Sequence, residues 1–156
     1  MTAYIDTPFD ELEIGQTWVS GGRTMTEADV VNFCMLTGNW LEIHSNAEYC
    51  KDTRFGQRLV QGSLVFSVMA GLTQYSSAIT VAFYGIDKIR FLTPVFIGDT
   101  VRFEVEVIGK QDKDDKYGVG KFRTRSINQR GEPTMLCESA LLMHRQRFQP
   151  DRAPAA

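Results

Sequence analysis

The sequence predicts an α+β domain in which a long antiparallel sheet wraps around one buried helix. Three observations carry that reading. The stretch Gly62–Tyr75 places Leu64, Val65, Phe66, Val68, Met69, Leu72 and Tyr75 around nearly its whole circumference. A helix apolar all round is buried, and about four turns are too few to span a bilayer. Beyond Tyr75 the hydrophobic period changes to that of strands, and runs of about ten residues exceed the usual strand length. The chain has 156 residues, enough for one domain with a real core.

Along the chain, Met1 to Gly15 contain Pro8, scattered acids and the turn-like Glu13-Ile14-Gly15, and read as an irregular lead-in. A short strand is expected around Thr17-Trp18-Val19, loosened by Gly21-Gly22. Thr26 reads as a helix N-cap with Asp29 three residues on, a capping-box variant, and Glu27 suits the first turn. Val30, Phe33, Cys34 and Thr37 mark one face of that helix, and Gly38 closes it. Asn39 to His44 form a non-periodic connection. Asn46 to Asp52 suit a short helix, and Arg54 to Arg58 a loop.

The central helix has one distinct stripe: Ser63, Ser67, Ala70 and Gln74 fall at helical spacing on a single face. Ile79 to Ile86 are apolar on both faces, as in a strand covered on both sides, with Gly85 marking a bulge or close approach. Phe91 to Asp99 make a Pro- and Gly-punctuated connection. Val101, Phe103, Val105 and Val107 alternate with Arg102, Glu104 and Glu106, a strand with one buried face. Gln111 to Lys116 form a charged hairpin tip, Tyr117 to Asn128 the return strand, and Thr134 to His144 the last one. Long antiparallel strands curled around one helix describe a hot-dog fold. One such layer leaves an edge open, so a dimeric double hot-dog is expected. The domain is read as 1–149, with 150–156 a flexible Pro/Ala tail.

Composition narrows the function. A net charge of −2 argues against a nucleic-acid partner. No apolar run is long enough for a membrane span. Cys34, Cys50 and Cys137 form no CxxC pair, which suits reduced thiols and a cytoplasmic protein. The two histidines, His44 and His144, are too few for a His/Cys zinc site. Cys50 has no identifiable activating partner, and His144 reads as a surface residue among charged neighbours.

Three stretches together resemble the MaoC-like, or (R)-specific enoyl-CoA hydratase, branch of hot-dog proteins. The first is Thr26-Glu27-Ala28-Asp29-Val30-Val31-Asn32-Phe33 running into Thr37-Gly38-Asn39-Trp40-Leu41-Glu42-Ile43-His44. The second is Val60-Gln61-Gly62-Ser63-Leu64. The third runs from Arg90 to Thr100 through Leu92-Thr93-Pro94 and Gly98-Asp99. In the family, the loop after the first helix usually reads Asp-x-Asn-Pro-(aliphatic)-His. His44 matches its histidine; Asn39 stands at the aspartate position, and Leu41 and Glu42 also depart. The dipeptide opening the helix is often His-Gly and is Gln61-Gly62 here.

The resemblance implies water addition to, or removal from, the 2,3 position of an acyl-CoA or acyl-carrier-protein thioester. That chemistry needs a base for water, an acid for the α-carbon and donors for the enolate oxygen, but no metal or organic cofactor. It implies His44 as general acid/base, since imidazole titrates near neutral pH. It implies Gly62 N–H as the oxyanion donor at a helix N-terminus. Asn39 would orient water or the imidazole, and Glu42 is the carboxylate nearest in sequence that could substitute. Trp40, Gln61, Ser63 and Phe66 are candidates for binding the substrate, with Tyr84 a further aromatic. Arg54, Arg58, Lys88 and Arg90 could meet CoA phosphates or a carrier's acidic surface. Bland readings stand beside these: a packing role for the serine stripe, a solvated Glu42, and solvated basic side chains. Two other functions remain open. One is a non-catalytic acyl-thioester-binding subunit, with the active dyad on a partner chain. The other is a thioesterase, disfavoured because its carboxylate is missing at Asn39.

Overall fold

The N-terminal segment is more ordered than its composition suggests. In the computed structural model, which describes residues 3–149, Ala3–Ile5 form strand β1 and Phe9–Glu11 a single 3-10 turn. The irregular lead-in is corrected here because Ile5, Phe9 and Leu12 are drawn into the core, each at most 3% exposed. Strands β2 (Thr17–Val19) and β3 (Arg23–Thr24) follow. Helix α1 (Glu27–Thr37) begins at Thr26 with a reciprocal capping box. Asp29 N–H donates to the Thr26 hydroxyl, and Thr26 N–H donates to the Asp29 carboxylate at 2.8 Å. It ends at Gly38, whose φ of 72° is the left-handed conformation that favours glycine.

The connection after Gly38 contains a helical turn that its apolar pattern does not reveal, α2 (Glu42–Ser45), followed by α3 (Ala47–Lys51). Asn46 caps α3, its side-chain oxygen accepting from Tyr49 N–H at 3.0 Å. The central helix, α4 (Gly62–Leu72), stops three residues short of Tyr75. The Thr73 hydroxyl and N–H both turn back to the Met69 carbonyl. Thr73–Tyr75 then extend as β4, which pairs in parallel with β1. The apolar count of 73–75 suited a helix equally well; the pairing with β1 decides it.

Four long strands complete the chain: β5 (Thr80–Phe91), β6 (Thr100–Asp112), β7 (Tyr117–Asn128) and β8 (Pro133–His144). The main sheet runs β2-β6-β7-β8-β5, with β3 also on β6, and every pairing in it is antiparallel. Val101, Phe103, Val105 and Val107 are at most 1% exposed on its concave face. Val65, Val68 and Met69 of α4 and Val30 and Cys34 of α1 pack with Phe103, Met135 and Cys137 into one cluster. A second cluster joins Ile5, Phe9 and Leu12 to Ile79, Phe122, Leu141 and Met143. This is the hot-dog arrangement, with α4 cradled by the sheet.

One packing expectation fails within the single chain. The strand expected to be covered on both faces, around Ile79–Ile86, is mostly exposed: Val81, Phe83, Tyr84 and Ile86 each show 41–56% of their surface. It is the sheet's edge, with β8 on one side only. Ser63, Ser67 and Ala70, on the small-residue stripe of α4, are exposed as well. The tail expected at 150–156 lies outside the described residues.

Candidate active site

The loop carrying His44 is held by backbone bonds from both directions. His44 N–H donates to the Leu41 carbonyl at 2.8 Å, closing the turn of α2. Leu59 N–H donates to the Ile43 carbonyl at 3.0 Å, which ties α2 to the segment leading into α4. The buried Cys50 thiol bonds the carbonyls of Glu42 and Ile43 at 3.5 Å. Val60 N–H in turn donates to Val95, so the loop before α4 is stitched to the loop after β5.

These ties fix the imidazole. His44 Nδ1 lies 2.8 Å from the Leu59 carbonyl oxygen. A carbonyl only accepts, so Nδ1–H donates to it, and in the neutral imidazole the lone pair then lies on Nε2. His44 and Gly62 line one cleft of about 420 Å³. Gly62 is the first residue of α4, and its N-cap, Gln61, makes no side-chain capping bond. Among the described residues, the backbone N–H groups of Gly62 and Ser63 have no hydrogen-bond partner. Unpaired donors at a helix N-terminus, with the dipole behind them, favour negative charge. The cleft therefore sets an imidazole, oriented through its Nδ1, and a pair of free N–H donors around one space.

Its walls come from elements with no obvious sequence signal. Phe91 at the end of β5, Leu92 to Val95 after it, and Thr134 at the start of β8 line it opposite Phe55, Leu59 and Val65. Phe91 lies directly over Gly62: a Cβ there would sit 2.8 Å from its ring. Glycine is thus favoured by close approach rather than by φ, since any Cβ would push the ring aside. The stretch 90–100 had suggested the segment through resemblance alone, whereas Thr134 enters only through the β5–β8 pairing.

The remaining candidates are distributed as follows. Ser63 lines the cleft. Gln61 does not: its side chain is 1% exposed and its Nε2 donates to Cys34 Sγ at 3.1 Å, so it is a core residue beneath the helix start. Phe66 packs against the main core cluster rather than into the cleft. Trp40 is 52% exposed and also stands outside the lining. Asn39 is half-buried and, against the expectation of a shared site with His44, stands outside the lining; its backbone N–H donates to the Thr37 hydroxyl at 3.3 Å, and no hydrogen bond joins it to His44. The Glu42 carboxylate accepts from Asn46 Nδ2 at 3.5 Å and does not line the cleft. Among the described residues, no carboxylate lines the cleft.

The basic residues also separate. Arg58 is engaged by Glu27 through both guanidinium nitrogens, and this hydrogen bonding holds its pKa above the ordinary value. Arg54 lines the cleft, stacked 4.7 Å over the Phe55 ring and, among the described residues, without an ion pair. Lys88 and Arg90 are exposed on β5 outside the lining.

The comparison that decides the family is the match of residues 11–129 to the MaoC like domain. The chain belongs to the MaoC-like family. A MaoC-like relative, protein MaoC of Klebsiella aerogenes, is 36% identical over 95 residues, which is 60% of this chain. This chain spans only 28% of that protein's length. The (R)-specific enoyl-CoA hydratase of Aeromonas caviae is 29% identical over 77% of this chain and 87% of its own length. Among solved structures, a monoamine oxidase regulatory protein from Archaeoglobus superposes with a TM-score of 0.85 at 36% identity, covering 94% of this chain and 99% of that one. No helix among the described residues is long and apolar enough to cross a membrane.

Proposed function

We propose that this MaoC-like domain adds water to, or removes it from, the 2,3 position of an acyl thioester. The observation that carries the reading is the cleft itself, which His44, held through Nδ1, lines together with the free N–H end of α4. Gly62 N–H donates to the thioester oxygen as negative charge builds on it. His44 Nε2 takes a proton from water as the oxygen bonds to C3, and returns a proton to C2. The proton and hydroxyl together account for one water added, and the reverse sequence releases it. The hydratase name of the Aeromonas relative supports the same chemistry.

The absence of a carboxylate in the lining makes His44 the one acid–base group of this scheme. A hydration assay over a panel of 2-enoyl-CoA esters, read at the enoyl absorbance, tests it. Native protein should turn over at least one ester. Asn39→Asp should leave turnover near the native value, because residue 39 stands outside the lining. Glu42→Gln should leave it unchanged, because that carboxylate is turned to Asn46. The same missing carboxylate favours a second reading, a thioester-binding subunit. Native and Asn39→Asp proteins inert on every ester, yet still binding acyl-CoA, would establish that reading and remove the first.

The active form in this proposal is a homodimer. The free β5 edge carries exposed Val81, Phe83 and Ile86, and the small-residue face of α4 is uncovered beside it. Pairing two such edges satisfies their N–H and C=O groups and buries those side chains. Light scattering at micromolar concentration should return twice the chain mass; a single-chain mass would refute the pairing. Three buried, unpaired cysteines support placement in a reducing compartment, the cytoplasm.

A further inference from the structure

A second cavity, of about 490 Å³, lies at the other end of α4, between that helix and the concave face of the sheet. Its walls mix Met69, Phe83 and Leu141 with hydroxyl-bearing residues. Four of the hydroxyls there are unspent. Thr80 Oγ1 is buried without a hydrogen-bond partner. Thr124 and Ser139 are 2% and 5% exposed, and among the described residues neither hydroxyl is bonded. The Tyr75 hydroxyl is likewise unbonded, and burial holds the phenol well above its ordinary pKa, so it remains a donor. A buried hydroxyl is normally paired, so Thr80 Oγ1, with three further unbonded hydroxyls lining the same space, marks a place for a hydrogen-bonding guest. No charged side chain lines it, which disfavours a phosphate or carboxylate there.

The position of this cavity relates it to the cleft. Phe83 lines the cavity and Phe91 the cleft, both on β5. Eight residues of strand separate them by roughly 26 Å within one chain. Two-fold antiparallel pairing about the centre of β5, which spans Thr80–Phe91, brings Thr80 of one copy opposite Phe91 of the other. In that pairing the cavity of one subunit would adjoin the cleft of its partner. We propose that this cavity receives the far end of the acyl chain bound in the partner's cleft and selects an uncharged hydrogen-bonding end group, a hydroxyl in particular. The inference rests on the acyl-thioester reading and on the homodimer above.

Calorimetry with saturated acyl-CoA esters, which cannot turn over, tests it apart from catalysis. A length series is used, each length as the ω-methyl and the ω-hydroxy form. At the fitting length the ω-hydroxy ester should bind about fivefold to tenfold tighter, the worth of one or two well-made hydrogen bonds. Ser139→Ala and Thr80→Val should each erase most of that preference while ω-methyl binding holds. Each removes a hydroxyl with no partner in the chain, so the unfolding midpoint should stay or rise. His44→Ala should leave the preference intact. Equal or tighter binding of the ω-methyl form at every length overturns the proposal, as does a preference that both variants retain. Turnover without the preference refutes the cavity alone. Preference without turnover refutes the hydratase reading alone, and no binding of any ester refutes both.

Discussion

Replacing His44 with alanine should abolish turnover of the best enoyl-CoA ester, a loss of roughly 10²–10⁴-fold, the usual contribution of a general acid–base group. The full range is expected because no other group in the cleft can accept a proton from water. Arg54 is permanently charged, and Ser63, Thr93 and Thr134 are neutral hydroxyls. The same substitution deprives the Leu59 carbonyl of its donor. That residue is half-buried, so the stability cost should be about 1 kcal/mol and the unfolding midpoint should move little. Binding of a saturated acyl-CoA should survive, since the helix end and cleft walls are untouched. If His44→Ala keeps native kcat, the acid–base assignment fails; if it loses binding and kcat together, the histidine shapes the cleft instead.

The elements legible in the sequence were those with strong local chemistry. The Thr26/Asp29 capping box and the glycine at 38 give α1 its two ends, and both are seen in the structure. The alternation Val101-Phe103-Val105-Val107 gives β6 its buried face. The elements that escaped are those decided by distant partners. β1 contains a single turn's worth of ordinary residues and exists because Thr73–Tyr75 lie beside it. For the same reason α4 ends at Leu72 although Tyr75 continues its apolar surface. Doubly apolar β5 was read as covered, and its outward face is bare in the single chain. Its pattern records a burial requirement that one copy does not meet.

The site divides along the same line. His44 and Gly62 were singled out by local motifs, and the fold brings them to one cleft. Gln61 stands at the family's dipeptide position beside Gly62, but neighbouring residues at a helix start point in different directions, and its amide goes to Cys34. Phe66 follows the same logic: one turn along α4, its ring turns to the core. Arg54 and Arg58 looked equivalent in sequence; Glu27, more than thirty residues earlier on α1, removes Arg58 from contention. Thr134 needed the β5–β8 register to become visible.

Gly62→Ala should reduce kcat by roughly 10²-fold, the cost of disturbing one oxyanion donor, while leaving the fold intact. The methyl would come within 2.8 Å of the Phe91 ring, inside van der Waals contact. Phe91 is 53% exposed on the edge strand, so the ring is freer to move than the helix, which is anchored in the core by Leu64, Val65 and Val68. Overpacking typically costs 1–3 kcal/mol, and an outward-swinging ring keeps this near the lower end, about 1 kcal/mol. Alanine's better helix propensity offsets part of that. Stability should therefore change little, and the effect should fall on the cleft, where the displaced ring is a wall. The double variant Gly62→Ala/Phe91→Ala separates the two causes. If the clash moves the wall or tilts the N–H, removing the ring restores much of the lost kcat and the two sites couple strongly. If the methyl itself blocks the oxygen's place at the helix end, the double variant stays as slow as Gly62→Ala. Native kcat in Gly62→Ala would contradict both, and with them the assignment of the α4 N-terminus as the thioester oxygen site.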